Sequence, residues 1–527
     1  MKKRRLATLL LALVLVLYTG CSAQNESTAP QAPAAHSEGA ATAEAVEKAA
    51  DIAYDIPIDM ATGDDAGYRA MPEYNYNAES YLAINENAAQ SVAQQDAITF
   101  SLKVDTAAYS NVERYIRNGS LPPADAVRME ELINYFVYEQ DISPVGNNPF
   151  GVYAEVGQSP FDADKYLALV RVKSKEIDKK DLPASNLTFL IDSSGSMDSY
   201  DKLPLLKEAF ALLVETLDQD DRVSIVTYAG NSAVVLDSAT GAEKARILAS
   251  INALDAGGST AGEAGLQSAY ALAEKNFIPN GNNRIILATD GDFNVGIATV
   301  DGLLNYVSEK RGAGVYLSVL GFGTGNLRDD IMETLAANGN GNYSYIHSVG
   351  TAQKVLIDEM GSNLFTVADD VKAQIVFDTD TVVSYRLIGY ENRRMENEDF
   401  ENDFKDAGEI GAGTDVLMLL ELELTATELR NSAPLFVVSI RYKEPGASAS
   451  TLMEHPVTYA SYRAENSSDF SFAASVAGFG HLLRGSEHTG DFTLDTATTL
   501  AKNNLGQDAG GLRLEYLLLL REYQNLL

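Results

Sequence analysis

The chain has 527 residues, 46% of them apolar, enough for about two to four domains with real cores. Its formal charge is −34 at pH 7, and losing Lys2, Lys3, Arg4 and Arg5 with a leader makes it more negative still. No Lys/Arg-rich run follows residue 5, so long-range repulsion from phosphate backbones argues against nucleic acid as a partner.

The N-terminus has a basic start, an apolar stretch from Leu6 to Leu17, then Tyr18-Thr19-Gly20-Cys21. A bilayer span takes about 20 apolar residues, so this stretch is too short to cross and suits a secretory leader. Cys21 is the single cysteine, and no internal disulfide constrains the fold. Its place after Gly20 resembles a bacterial lipobox, with Tyr18 where such boxes usually carry Leu or Val. Residues 1–21 are therefore expected to be a lipoprotein signal peptide. The mature chain would be exported and lipid-anchored through Cys21 to a membrane of the cell envelope.

From Ser22 to about Ala83 the chain is rich in Ala, Glu, Ser and Gln, with scattered prolines and no apolar period. This composition predicts a flexible tether over 22–94, with an r.m.s. span of roughly 45 Å for its first ~60 residues. Within it, Tyr74 to Tyr81 is the piece suited to dock on the body. Residues 97–104 alternate as a half-buried strand, and Asp105-Thr106 suits a helix start before 107–118. After Leu121-Pro122-Pro123, residues 124–135 predict a second helix with Val127, Leu132 and Phe136 inward. Extended runs at 151–156 and 166–173 complete a segment, 95–183, too poor in elements to form a domain alone.

From Asn186 strands and helices alternate: strands 186–191, 222–228, 233–237, 284–288, 314–321 and 343–346, and helices 203–217, 243–254, 262–275, 300–311, 327–337 and 351–364. This predicts an α/β domain over 184–366, a doubly wound Rossmann-like sheet with helices on both faces. The turn Ala229-Gly230-Asn231 makes one edge strand antiparallel. Strands return at 371–377, 382–390, 415–424, 434–442 and 457–463. With the strands before 184, this β-rich part (367–465) is expected to complete a sandwich into which the α/β domain is inserted. A helical C-terminal extension, 466–527, follows: Asp469 is read as the cap of a helix burying Phe472, Val476, Phe479 and Leu483, and 512–526 is a further helix.

Three clusters fall at strand ends or a helix start: Asp192, Ser194 and Ser196 in Ile191-Asp192-Ser193-Ser194-Gly195-Ser196-Met197, Thr260 in Gly257-Gly258-Ser259-Thr260, and Asp290 in Ala288-Thr289-Asp290-Gly291. All belong at the carboxyl edge of one sheet, where open α/β sheets bind ligands. Their oxygens suit a hard divalent cation, Mg²⁺ foremost, with Mn²⁺ or Ca²⁺ as alternatives. So few charged ligands leave the metal electrophilic, with a position open to a carboxylate from another molecule. Ser259 and Asp292 are weaker candidates beside these.

The pattern resembles the metal-ion-dependent adhesion site (MIDAS) of von Willebrand factor type A (VWA) domains. The resemblance implies Asp192, Ser194, Ser196, Thr260 and Asp290 as the metal ligands. It extends over roughly 95–525 through Val104-Asp105-Thr106-Ala107-Ala108-Tyr109, Arg128-Met129-Glu130-Glu131-Leu132, Lys202-Leu203-Pro204-Leu205-Leu206-Lys207, Thr289-Asp290-Gly291-Asp292-Phe293-Asn294 and Asp469-Phe470-Ser471-Phe472. These look like a bacterial lipoprotein family with a von Willebrand factor N-terminal segment, a VWA domain and a C-terminal extension. Lys103 stands where an acidic residue is expected.

Other signals are discounted. Gly321-Phe322-Gly323-Thr324-Gly325 lacks the Gly-Lys-Ser/Thr of a phosphate loop and reads as a tight turn. The five histidines are scattered, and His481 is expected to be capped or at the surface. Glu396 to Asp406 reads as a solvated acidic loop. Gly-x-Ser-x-Gly is absent and Ser194 has no His base nearby in sequence, so no catalytic residue is assigned and the chain is not expected to be an enzyme. The reading is a membrane-tethered protein that binds a partner's Asp or Glu carboxylate through a divalent cation. A metal-dependent enzyme or chelatase-type subunit, and an envelope scaffold with a structural metal, are the alternatives.

Overall fold

The computed structural model describes residues 78–527, apart from 147, 259–261, 292–299 and 426–428. The leader, Cys21, most of the tether, Ser259, Thr260 and Asp292 lie outside the described residues.

The strand Ser185–Asp192 is buried along its whole length, because its neighbours Arg222–Tyr228 and Asn282–Thr289 both run parallel to it and helices cover both faces. The sheet order is Tyr343–Ile346, Tyr316–Phe322, Asn282–Thr289, Ser185–Asp192, Arg222–Tyr228 and Ser232–Thr240, and only the last is antiparallel. Leu187, Phe189 and Ile191 point to one core, formed with Leu206, Phe210 and Leu213 of the helix Leu203–Thr216. Leu190 points to the other, with Leu266 and Tyr270 of the helix Gly262–Lys275 and Met332 of the helix Asp329–Asn338. This is the doubly wound architecture that the alternation predicts.

Two further sheets face each other across a second core. One contains Phe150–Gln158, Tyr166–Ser174, Asp415–Leu424 and Val382–Ile388, and the other Ala97–Ser101, Thr366–Phe377, Pro434–Lys443 and Ser450–Thr458. Each mixes strands from before and after the α/β domain: Ile98 pairs with Ile375, and Val170 with Met418. Alternation serves both faces of the first sheet. Ala168, Val170 and Val172 enter the sandwich, while Leu167 and Leu169 face helices Ala107–Arg117, Met129–Ile133, Ser468–Arg484, Leu494–Asn503 and Leu512–Leu526.

Several expectations change. Residues 78–94 are not free tether: Gln90–Ser91 is a short strand paired to Tyr385 and Ser384, Val92 is buried, and Asn87 donates to the carbonyls of Leu387 and Gly389. These are isolated contacts that no apolar period announces. The expected helix 124–135 is a 3₁₀ turn at Ala124–Ala126 followed by Met129–Ile133, and the last sandwich strand is Ser450–Thr458, shifted from 457–463. Ser467, not Asp469, caps the helix Ser468–Arg484, its hydroxyl accepting from the Phe470 amide. Asp469 instead accepts from the Glu139 and Gln140 amides and pairs with Arg513 and Arg171. His481 is buried, and burial together with Arg386 and Arg484 drives its pKa down to about 2, so the ring is neutral.

The α/β domain is joined to the rest by buried ion pairs. Arg128 meets Glu131 at 2.6 Å and Asp329 at 2.5 Å, and Arg393 meets Asp105 at 3.0 Å and Glu333 at 3.2 Å. Truncating one partner strands the opposite charges away from water, so Arg128→Met is expected to cost about 3–5 kcal/mol in denaturant unfolding of the chain. A loss under 1 kcal/mol would show that this junction does not carry the assembly.

Candidate functional site

The strand Ser185–Asp192 ends on the Asp192 side chain, fully buried in register with Tyr228 on the neighbouring strand. The chain then turns through a 3₁₀ segment, Gly195–Asp198, into the helix Leu203–Thr216. In that turn the Ser194 amide donates to Asp192 Oδ1 at 2.9 Å, and the Ser194 and Ser196 hydroxyls lie 2.9 Å apart. Ser194 is buried and Ser196 exposed, so the cluster opens to the surface at Ser196. Thr289 donates through Oγ1 to Asp192 Oδ2 at 3.3 Å, placing the end of the Asn282–Thr289 strand against the same carboxylate.

Asp290 follows directly and is also fully buried. Its Oδ2 accepts from Lys202 Nζ at 2.9 Å, and the same ammonium lies 3.2 Å from Asn326 Oδ1. The Gly257-Gly258 turn is drawn in as well: the Gly195 amide donates to the Gly258 carbonyl at 3.1 Å and the Gly257 amide to the Ser193 carbonyl at 2.8 Å. Asp192, Ser194, Ser196 and Asp290 are thus gathered at one sheet edge beside the turn that leads into Thr260.

The two carboxylates differ electrostatically. Burial pushes Asp192 up to about 6, and the charge on Asp290 adds to that. Burial also works to raise Asp290, but the Lys202 ammonium outweighs it and holds the carboxyl below its ordinary value. Among the described residues no three His, Cys, Asp or Glu side chains converge. A cation here would depend on hydroxyls, and a donor set of two carboxylates and serine hydroxyls fits a hard ion rather than a thiophilic one.

The segment Ala78–Tyr81 lies against this edge. Its Ala78 and Ser80 amides donate to the carbonyls of Gly325 and Leu327 at 2.9 and 3.0 Å, and Glu79 Oε1 accepts from the Gly325 amide at 2.8 Å. Glu79 is gripped in turn by Arg114, at 2.8 and 2.7 Å, and by the Tyr81 and Tyr115 hydroxyls, each at 2.6 Å. Gly291, at φ +96°, packs so tightly on the 326–328 loop that an added Cβ would lie 2.4 Å from the Arg328 nitrogen. The strap, this loop and Asp290 therefore form one packed unit.

Lys202, Asn326, Thr289 and Tyr228 also meet this site and are not among the ligand residues that the motif names. Thr289 was findable, as the hydroxyl beside Asp290 at a strand end. Lys202 and Asn326 are brought in by folding from 88 residues before Asp290 and from the Gly323–Gly325 turn.

The von Willebrand factor type A domain family matches residues 186–358, a family described as von Willebrand factor matches 75–169, and one described as uncharacterized protein YfbK, C-terminal, matches 362–526. The Escherichia coli (strain K12) uncharacterized protein YfbK is 43% identical over 468 residues, covering 85% of this chain and 81% of that protein. The chain belongs to this family of VWA-domain proteins. An uncharacterized Synechocystis protein is 31% identical over 183 residues, covering 35% of this chain and 42% of its own length. Among solved structures, a von Willebrand factor type A protein from Catenulispora acidiphila is similar at 17% identity and a TM-score of 0.43, over 72% of this chain and 91% of that one. The VWA match spans all five candidate residues named from the sequence, Asp192, Ser194, Ser196, Thr260 and Asp290.

Glu79 provides a pH test of the strap. Burial opposes its charge, but the Arg114 pair and the tyrosine hydroxyls lower the carboxyl from 4.5 to about 2. A depressed folded value means stability fully present above pH 4.5 and lost as pH falls through about 2. Glu79→Gln is expected to lower the melting temperature at neutral pH and to flatten its decline between pH 4.5 and 2. An acid limb identical to wild type would exclude this role.

Proposed function

We propose that the chain is a cell-envelope lipoprotein, anchored through a lipid on Cys21, that captures a protein partner through a divalent cation, Mg²⁺ foremost. The cation is held by Asp192, Ser194, Ser196, Thr260 and Asp290. The observation that supports this reading is the convergence of two buried carboxylates and two touching serine hydroxyls at the carboxyl edge of the sheet. Membership of the VWA family supports it further. In the bound state the cation supplies an electrophilic centre, and Ser196, the exposed member among the described residues of the set, marks where a partner reaches it. The turn beside it carries Tyr200, 87% exposed, a rigid aromatic suited to partner contact. A body this acidic repels a carboxylate at long range, with a Debye length of ~8 Å at physiological salt, so a local cation is what makes such an approach favourable.

Cation binding to the folded chain alone adds about 2.7 kcal/mol at 100 times Kd. Mg²⁺ or Mn²⁺ added to the chelated protein is therefore expected to raise the melting temperature, with Asp192→Ala losing the increment. An equal rise in that variant would sink the assignment. In pull-downs from envelope extract, partner capture is expected in Mg²⁺ and not in chelator, and to weaken in Tyr200→Ala while the metal-induced rise in melting persists. Cys21→Ser is expected to release the chain from the membrane fraction; unchanged fractionation would refute the anchor and leave the binding role standing.

A further inference from the structure

Lys202 occupies an unfavourable place for a lysine. It is the N-cap of the helix Leu203–Thr216, where the helix dipole disfavours a positive charge, and it is 7% exposed. Nothing in helix formation calls for a cation there. Its stem crosses Gly323, at φ +76°, so closely that an added Cβ would lie 2.2 Å from Cε, 2.5 Å from Cγ and 2.8 Å from Cδ. A channel that only glycine leaves open thus delivers Nζ to Asp290, with Asn326 as its second partner.

From this geometry we infer that Lys202 is a built-in counter-cation of the cation site: it weakens divalent-metal binding and in return leaves the loaded site positively charged, selective for an anionic ligand. The inference rests on the proposed metal site and adds a determinant that the ligand set alone does not contain. Among the described residues of the cluster, Asp192, Asp290 and Lys202 sum to one net negative charge. A divalent cation takes it to one net positive charge, which a carboxylate then neutralises. Without Lys202 the loaded site is neutral, and an incoming anion gains less.

The two consequences have opposite signs, which separates this role from a merely structural one. In the full chain, Mn²⁺ binding alone, measured by titration calorimetry and by the electron paramagnetic resonance of free Mn²⁺, is expected to tighten by about tenfold or more in Lys202→Met. Lys202→Arg, which keeps the charge, is expected to stay near wild type. Gly323→Ala, which crowds the stem off Asp290, is expected to tighten binding in the same direction as Lys202→Met, so the case does not depend on one variant folding. With acetate as the probe, the Mn²⁺-loaded Lys202→Met protein is expected to bind several-fold more weakly than loaded wild type. Unchanged or weaker Mn²⁺ binding in both Lys202→Met and Gly323→Ala would overturn the inference while leaving the metal site intact. Absence of Mn²⁺ binding from wild type and all variants would overturn both.

Discussion

The buried charges around Arg128 hold the whole assembly in register. The chain passes into the α/β domain and out of it again, and the orientation of that domain on the sandwich depends on contacts made in space. Arg128, from the start of the helix Met129–Ile133, reaches Asp329 on an α/β helix, while Arg393, from the sandwich, reaches Glu333 one turn further on and Asp105 near the first long helix. The Asp105 carboxylate also accepts from the Tyr343 amide at the edge of the α/β sheet. Such a network contributes little net stability compared with an apolar contact of equal size, because each charge gives up its hydration. What it contributes is a single permitted arrangement, since any slip leaves charges unpaired. The side chains of Glu131 and Asp329 are each 1% exposed, and this burial pushes Glu131 up to about 7 and raises Asp329.

The edge proposed to hold a cation is built by the opposite policy. Among its described residues the carboxylates are few, the hydroxyls are neutral, and one ammonium comes from the N-cap of the helix that follows the first cluster. The main-chain bonds from Gly195 to Gly258 and from Gly257 to Ser193 lock two of the loops, while Gly291 against Arg328 locks the third to the strap. Positions are therefore set by backbone packing, and the side-chain charges are left to respond to what arrives.

Most of the architecture was legible in the chain because it depends on local periods. The fully apolar runs around Phe189 and Ile286 announce strands buried on both faces, and the helices between them follow from 3.6-residue periodicity. Asp192, Ser194, Ser196 and Asp290 were legible for a related reason: each sits at the end of such a run, where topology alone brings strand ends together. What was not legible lacks a local signature. Lys202 meets Asp290 across 88 residues, and Glu79 meets Gly325 across 246, each through one side chain in a stretch with no periodicity. Asp469 has the spacing of a cap but was taken by Arg513 and the Glu139–Gln140 amides, a tertiary demand that local capping rules do not see. His481 is buried beside the Phe161 ring and within the field of Arg386 and Arg484, a position that its residue type conceals.

The strap at Ala78–Tyr81 has a mechanical consequence. A pull on the chain before residue 78 is delivered first to the amides of Ala78 and Ser80 and the carbonyls of Gly325 and Leu327, then through Glu79 to Arg114 and the helix that carries it. The sandwich lies further along this load path than the loop bearing Asn326. Tension in the N-terminal segment thus enters the fold at residues 325–327, the loop whose Asn326 side chain meets Lys202 beside Asp290.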